Sequence, residues 1–213
     1  MTPTFLSFDG LDGTGKSTQC RLVVEWLREL GIPVTHCIDP GGTELGAKLR
    51  EILLTGRDQA IHMRAEAMLF MASRAELVDR VIRPALERGE IVVSDRFLLA
   101  NVVYQGHAGG LDPADLWTVG RIATGGLEPD RTFVFDLPLE IAQQRRERPA
   151  DRMENRSYDF HSRVRAGFLA EAHANPQRYI VIDASPSLEA VQATVRQLVS
   201  FFLRERGFPI PAE

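Results

Sequence analysis

The run Gly10-Leu11-Asp12-Gly13-Thr14-Gly15-Lys16-Ser17 constrains this chain more than any other feature, because it matches G-x-x-x-x-G-K-[ST]. That pattern works in one local geometry: a strand leads in, a helix leads out, and glycine-freed backbone N–H groups converge with the helix N-terminus on phosphate oxygens. The flanks supply both elements. Phe5-Leu6-Ser7-Phe8 is a short β-prone run, and Cys20, Val23, Val24, Leu27 and Leu30 recur at helical spacing behind the loop. Gly10 through Ser17, with Thr18 behind them, are therefore expected to hold a nucleotide's phosphates. Lys16 is expected to neutralise charge at the β- and γ-positions and Ser17 to ligate Mg2+.

The rest of the chain repeats the strand-then-helix rhythm. Gly31 fits a helix C-cap, and residues 32–38 read as a second strand ending at Asp39-Pro40-Gly41-Gly42. Across residues 47–54 and 61–86 apolar residues recur at three and four, predicting two helices, the second long or broken. Ile91-Val92-Val93, Thr132-Phe133-Val134-Phe135 and Tyr179-Ile180-Val181-Ile182 are compact apolar runs bounded by turn residues, the pattern of parallel strands buried on both faces. Alternating β and α predicts an α/β fold: about five strands in one parallel sheet with helices on both faces, as a single domain over residues 1–213. Residues 145–152 interrupt the rhythm with Arg145, Arg146, Arg148 and Arg152 and no apolar stripe, and read either as a mobile flap or as a solvated face. Arg204-Glu205-Arg206-Gly207 reads as a fraying helix end.

Net charge of -4 and a pI near 5.8 provide no broad basic field, which argues against a nucleic-acid partner. No apolar run approaches membrane-spanning length, and no basic segment precedes an apolar stretch at the start, so a cytoplasmic protein without a membrane partner is expected. Cys20 and Cys37 are too few and too separate for a disulfide framework or metal cluster and read as buried thiols.

Ser94-Asp95-Arg96-Phe97 directly follows the Ile91-Val92-Val93 run, at the carboxyl edge where open α/β sheets bind ligands. There Asp95 can hold Mg2+ and Arg96 can clamp a phosphate. Taken with Pro40-Gly41-Gly42-Thr43, Phe70-x-x-x-Arg74, Tyr104-Gln105-Gly106 and Asp151-Arg152-Met153-Glu154, in this order, the chain resembles the bacterial thymidylate kinases, P-loop nucleoside monophosphate kinases, over nearly its whole length.

The resemblance implies transfer of the γ-phosphoryl group of Mg·ATP to dTMP, by a homodimer with a lid at about residues 145–156. It implies that Phe70 stacks on thymine, Arg74 hydrogen-bonds a base carbonyl, and Asn101 and Gln105 meet the pyrimidine edge. Tyr104 would crowd the sugar against a 2′-hydroxyl, Asp12 would receive the 3′-hydroxyl, and Arg50 and Arg96 would hold the 5′-phosphate. Taken alone, Phe70 reads better as core, and Arg50 reads equally well as a helix-surface residue. Gly13 stands where some members carry an arginine, so the lid is the expected source of that cation, with Arg148 and Arg152 favoured. Asp39 in place of the usual Glu, Ile38 before it, and Leu98 and Leu99 after Asp-Arg-Phe depart from the pattern and bear on the acceptor site. Two alternatives share most of these features: a kinase for uridylate, cytidylate or adenylate, and a non-catalytic nucleotide-binding module.

Overall fold

The computed structural model describes residues 2–55, 60–145 and 151–211. Strands β1 (Thr4–Gly10), β2 (Val34–Ile38), β3 (Ile91–Asp95), β4 (Arg131–Asp136) and β5 (Tyr179–Asp183) form one sheet in the order β2-β3-β1-β4-β5. Every neighbouring pair is parallel, so each connection must cross the sheet, and helices occupy the crossovers. The chain leaves β1 toward β2 on one side and leaves β3 toward β4 on the other. The carboxyl ends of β1 and β3 thus form a switch point, the crevice where such sheets bind ligands.

The period of two along each strand divides the core between the faces. Leu6 and Phe8 of β1, Val93 of β3 and Phe133 and Phe135 of β4 pack on α1 (Lys16–Glu29) and α9 (Leu188–Glu205) through Val23, Leu27, Val195 and Leu203. Phe5 and Val92 point the opposite way, onto α3 (Met63–Leu77), a π-helical turn at Val78–Ile82 and α4 (Arg83–Glu87). Behind Val134 lie Val103 and Tyr104, from a second π-helical segment, Val102–His107, and α8 (Tyr158–Ala174). The remaining helices are α2 (Glu44–Thr55), α5 (Leu98–Asn101), α6 (Pro113–Thr124) and α7 (Leu139–Gln144).

The helix expected over 61–86 as long or broken runs from α3 into α4 through a π turn, in which one extra residue shifts the face of everything after it. Two expectations need correction. Strand β5 is an edge strand, with Val181 46% exposed, because only β4 pairs with it. Residues 204–207 are not a fraying end: Arg206 pairs with Asp130 and lies over the Phe202 ring, and Phe208 and Ile210 beyond them are buried. Cys20 and Cys37 are free and buried, as expected.

Candidate active site

The loop after β1 bends through positive φ at Gly10, Gly13 and Gly15. A Cβ on Gly13 would lie 2.1 Å from the Ala142 carbonyl oxygen, whereas one on Gly15 would meet nothing within 4 Å. The loop is therefore pressed onto α7 on one side and open on the other, the side a phosphate can reach. The Thr14 hydroxyl donates to Leu11 O at 2.8 Å and closes the turn. Lys16 Nζ folds back over it, donating to Leu11 O at 3.2 Å and Asp12 Oδ1 at 3.1 Å. Asp12 through Thr18 line an open cleft whose far wall includes Arg145, Ala184, Ser187 and Leu188. Gly10 and Leu11 stand behind it and act through their carbonyls.

Strand β3 ends at Asp95, which pairs in register with Phe8 of β1 and Ile38 of β2. Arg96 follows at φ 70, a left-handed conformation that a non-glycine residue adopts at a cost. Its N–H donates to Phe8 O at 2.9 Å, and the turn sends the guanidinium back across the end of β1. There Nη1 donates to Gly10 O at 2.9 Å and Nη2 to Asp12 Oδ1 at 2.5 Å, while the group lies 5.2 Å from the Tyr104 ring centre. Tyr104 donates its hydroxyl to Asp12 Oδ2 at 3.0 Å.

Asp12 thus collects Lys16, Arg96 and Tyr104 at the switch point. Burial alone would raise its pKa, but the Arg96 and Lys16 charges hold the carboxyl well below the usual carboxylate range. Burial, reinforced by Asp12, pushes the Tyr104 hydroxyl up, so at neutral pH it remains a donor.

A second cleft opens on the other side of this cluster. Phe70, half-buried, and Arg74, one turn later on α3, both line it, as do Arg50, Asn101, Tyr104 and Gln105. Ser17, Asp95 and Arg96 contribute to the same cleft. Arg74 is only 2% exposed and already engaged: Nε donates to Asp39 Oδ2 at 2.6 Å and Nη1 to Asn101 Oδ1 at 3.0 Å. Burial raises the Asp39 pKa against the opposing pull of Arg74. Arg50 donates through Nη1 to Pro40 O at 2.7 Å, which holds it beside the loop after β2.

Of the departures noted in the sequence, Asp39 is the partner of Arg74, Ile38 lines the second cleft, and Leu98 and Leu99 are buried in the core. Among the described residues the two clefts share Asp12, Lys16 and Ser17.

The arginines of residues 145–152 divide. Arg145 donates to Ala184 O at 2.8 Å and Ser185 O at 3.2 Å, beside the loop-side cleft. Arg152 lies away from the phosphate loop, with Nε on Leu53 O at 2.7 Å and Nη1 on Glu66 Oε2 at 2.6 Å. Arg146 and Arg148 lie outside the described residues.

Sequence reasoning assigned no role to Glu66 or Met153. Met153 lines the second cleft, and Glu66 is buried beside it. Glu66 lies four residues before Phe70 and eight before Arg74, and that shared helix face was the available signal.

The model of one family, described as thymidylate kinase, matches residues 8–195. The chain belongs to the thymidylate kinase family. A thymidylate kinase of Symbiobacterium thermophilum is 46% identical over 203 residues, covering 95% of each chain. One from Rhodopirellula baltica is 48% identical over 196 residues, covering 92% of this chain and 80% of the relative. Among solved structures, the thymidylate kinase of Ehrlichia chaffeensis superimposes with a TM-score of 0.77 at 30% identity, covering 92% of this chain and 97% of that one. Membership makes the protein a nucleoside monophosphate kinase, a transferase on the P-loop fold. The resemblance read from the motif order is thereby borne out.

Proposed function

We propose that this protein moves the γ-phosphoryl group of ATP onto dTMP, giving dTDP and ADP on the route to dTTP. The observation that carries this reading is the meeting of two clefts at Asp12, Lys16 and Ser17. A triphosphate lying along the loop and a monophosphate entering past Arg96 would face one another there. Holding donor and acceptor in line is most of what phosphoryl transfer asks of a protein.

In this reading Lys16 exchanges Leu11 O and Asp12 for the β- and γ-oxygens, and Arg96 with Arg50 holds the acceptor phosphate. Phe70 stacks on the base, Arg74 donates to its carbonyl, Asn101 and Gln105 meet its edge, Tyr104 fills the 2′ side of the sugar, and Asp12 takes the 3′-hydroxyl. The Ser17 hydroxyl and Asp95 carboxylate are hard oxygen donors on one cleft, which suits Mg2+, an ion content with few protein ligands. When bound, the ion would neutralise β- and γ-phosphate charge. Arg148 and Arg152 remain the proposed lid cations, and for Arg152 this means leaving Glu66. Ile52 and Met68, each 49% exposed on α2 and α3, support a homodimer of single-domain chains. Among the described residues no helix is long and apolar enough to cross a membrane, and the acidic balance offers nucleic acid little, which supports a cytoplasmic enzyme.

The test is ADP release with Mg·ATP and dTMP, dUMP, UMP, dCMP or AMP in turn. We expect dTMP to exceed every other acceptor by at least about tenfold in kcat/KM, the discrimination available to a site that hydrogen-bonds its substrate. A different preferred acceptor would overturn the specificity, and no turnover with any would favour a binding module.

A further inference from the structure

We infer that Glu66 is a positioning residue that fixes the polarity of a buried hydrogen-bond relay, and thereby sets the acceptor site's preference for a base carbonyl over an amino group. Glu66 is fully buried on α3 and receives Gln105 Nε2 at 2.9 Å, Arg152 Nη1 at 2.6 Å and Arg156 Nη2 at 3.0 Å. All three of these partners donate, so Glu66 stands in the relay as an acceptor. At the other end of the relay stands Arg74, which only donates.

Between these ends lie two amides. Asn101 Oδ1 takes Arg74 Nη1 at 3.0 Å, Asn101 Nδ2 donates to Gln105 Oε1 at 2.7 Å, and Gln105 Nε2 donates to Glu66. Each amide could be turned over with almost no change of shape. Only one of the four combinations satisfies both ends, and any other sets N–H against N–H or oxygen against oxygen. Asn101 and Gln105 are 2% and 1% exposed, so water cannot repair such a mismatch.

The functional consequence rests on the dTMP reading above. With the relay running from Arg74 to Glu66, Asn101 keeps its oxygen on the Arg74 side, and that oxygen has a second lone pair, so a guanidinium donor and an amide acceptor stand together at the cleft. That donor–acceptor pair complements the 4-carbonyl and N3–H of thymine and opposes the 4-amino group and bare N3 of cytosine. Glu66 exerts this control through Gln105, without touching the base.

The experiment compares dTMP and dCMP as acceptors for wild type, Glu66→Gln and the exchanged pair Glu66→Gln/Gln105→Glu, with folding checked by thermal melting. In the first variant an amide at 66 can donate toward Gln105 and release the relay. We expect the dTMP-to-dCMP ratio of kcat/KM to fall about tenfold, through KM for dTMP, with KM for ATP unchanged. In the exchanged pair a carboxylate at 105 still accepts from Asn101, so the ratio should return to within about threefold of wild type.

An unchanged ratio in a folded Glu66→Gln protein overturns the proposal. So does a lost ratio that the exchanged pair fails to restore, which would reduce Glu66 to an anchor for Arg152 and Arg156. If Glu66→Gln does not fold, the exchanged pair decides alone: a wild-type ratio supports the relay and a collapsed ratio overturns it. A wild-type enzyme that prefers another monophosphate overturns the dTMP reading instead, and the relay is then tested on that acceptor against its keto or amino counterpart.

Discussion

Arg74 carries its charge where water scarcely reaches, and Asp39, wholly buried, answers it at 2.6 Å while keeping one oxygen, Oδ1, without a hydrogen-bond partner among the described residues. Truncating the arginine would strand a carboxyl whose pKa burial has already raised. We therefore expect Arg74→Ala to lose about 3–5 kcal/mol of stability, measured by urea unfolding, in addition to weakening acceptor binding. Adding Asp39→Leu should recover much of the stability and none of the binding; equal stability of wild type and Arg74→Ala would show that the pair contributes nothing. At this scale the sequence was partly legible. Phe70 and Arg74 share a helix face by spacing alone, and both reach the cleft. That Asp39 partners Arg74 was not legible, because 35 residues separate them and only the folding of α3 against the end of β2 brings them together.

The strand-loop-helix unit around Lys16 shows how an element can be read from one motif while its tolerances cannot. Gly13 and Gly15 share a left-handed φ, 86° and 84°, but only Gly13 has a neighbour in the way, the backbone of α7. Gly15→Ala should cost only the strain of that conformation, about 1–2 kcal/mol. Gly13→Ala must also push α7 aside and should cost more than about 3 kcal/mol, with the order read from paired thermal melts. Equal melts for the two would mean that α7 yields freely. The π turns at Val78–Ile82 and Val102–His107 were not legible, since apolar residues at three and four spacing look alike whether or not one extra residue is wound into a turn. The second of them presents Tyr104 and Gln105 to the cleft, so the candidate site depends on a feature the pattern conceals.

Across the whole molecule, stability should record the carboxyl at the end of β1. Asp9 is buried, with Ser7 on one oxygen at 2.8 Å and the other unpartnered among the described residues, and burial pushes its pKa up to about 6. The folded protein therefore keeps a proton that the unfolded chain releases near its ordinary value of 3.8. Stability should fall as pH rises through about 4 to 6 and then level, by about 3 kcal/mol in all. Asp39 adds a slope of the same sign, whereas Asp12, held below its usual range, loses its contribution only as the solution becomes more acid than pH 4. Urea midpoints from pH 4 to 7 should slope less in Asp9→Asn than in wild type, and identical slopes would remove Asp9 from this role. What the sequence determined by itself was whatever is written in short-range order: the phosphate loop, the five apolar runs, the helical faces and the succession of family motifs. Each of these depends on residues within a turn or two of one another, where backbone geometry and side-chain period leave few choices. Only the tertiary structure decided that β1 and β3 are neighbours, that Arg96 therefore crosses onto Asp12, and that Arg152 faces Glu66 and not the phosphate loop. Those pairings join residues far apart in the chain, and strand order and burial, which no local pattern encodes, select them.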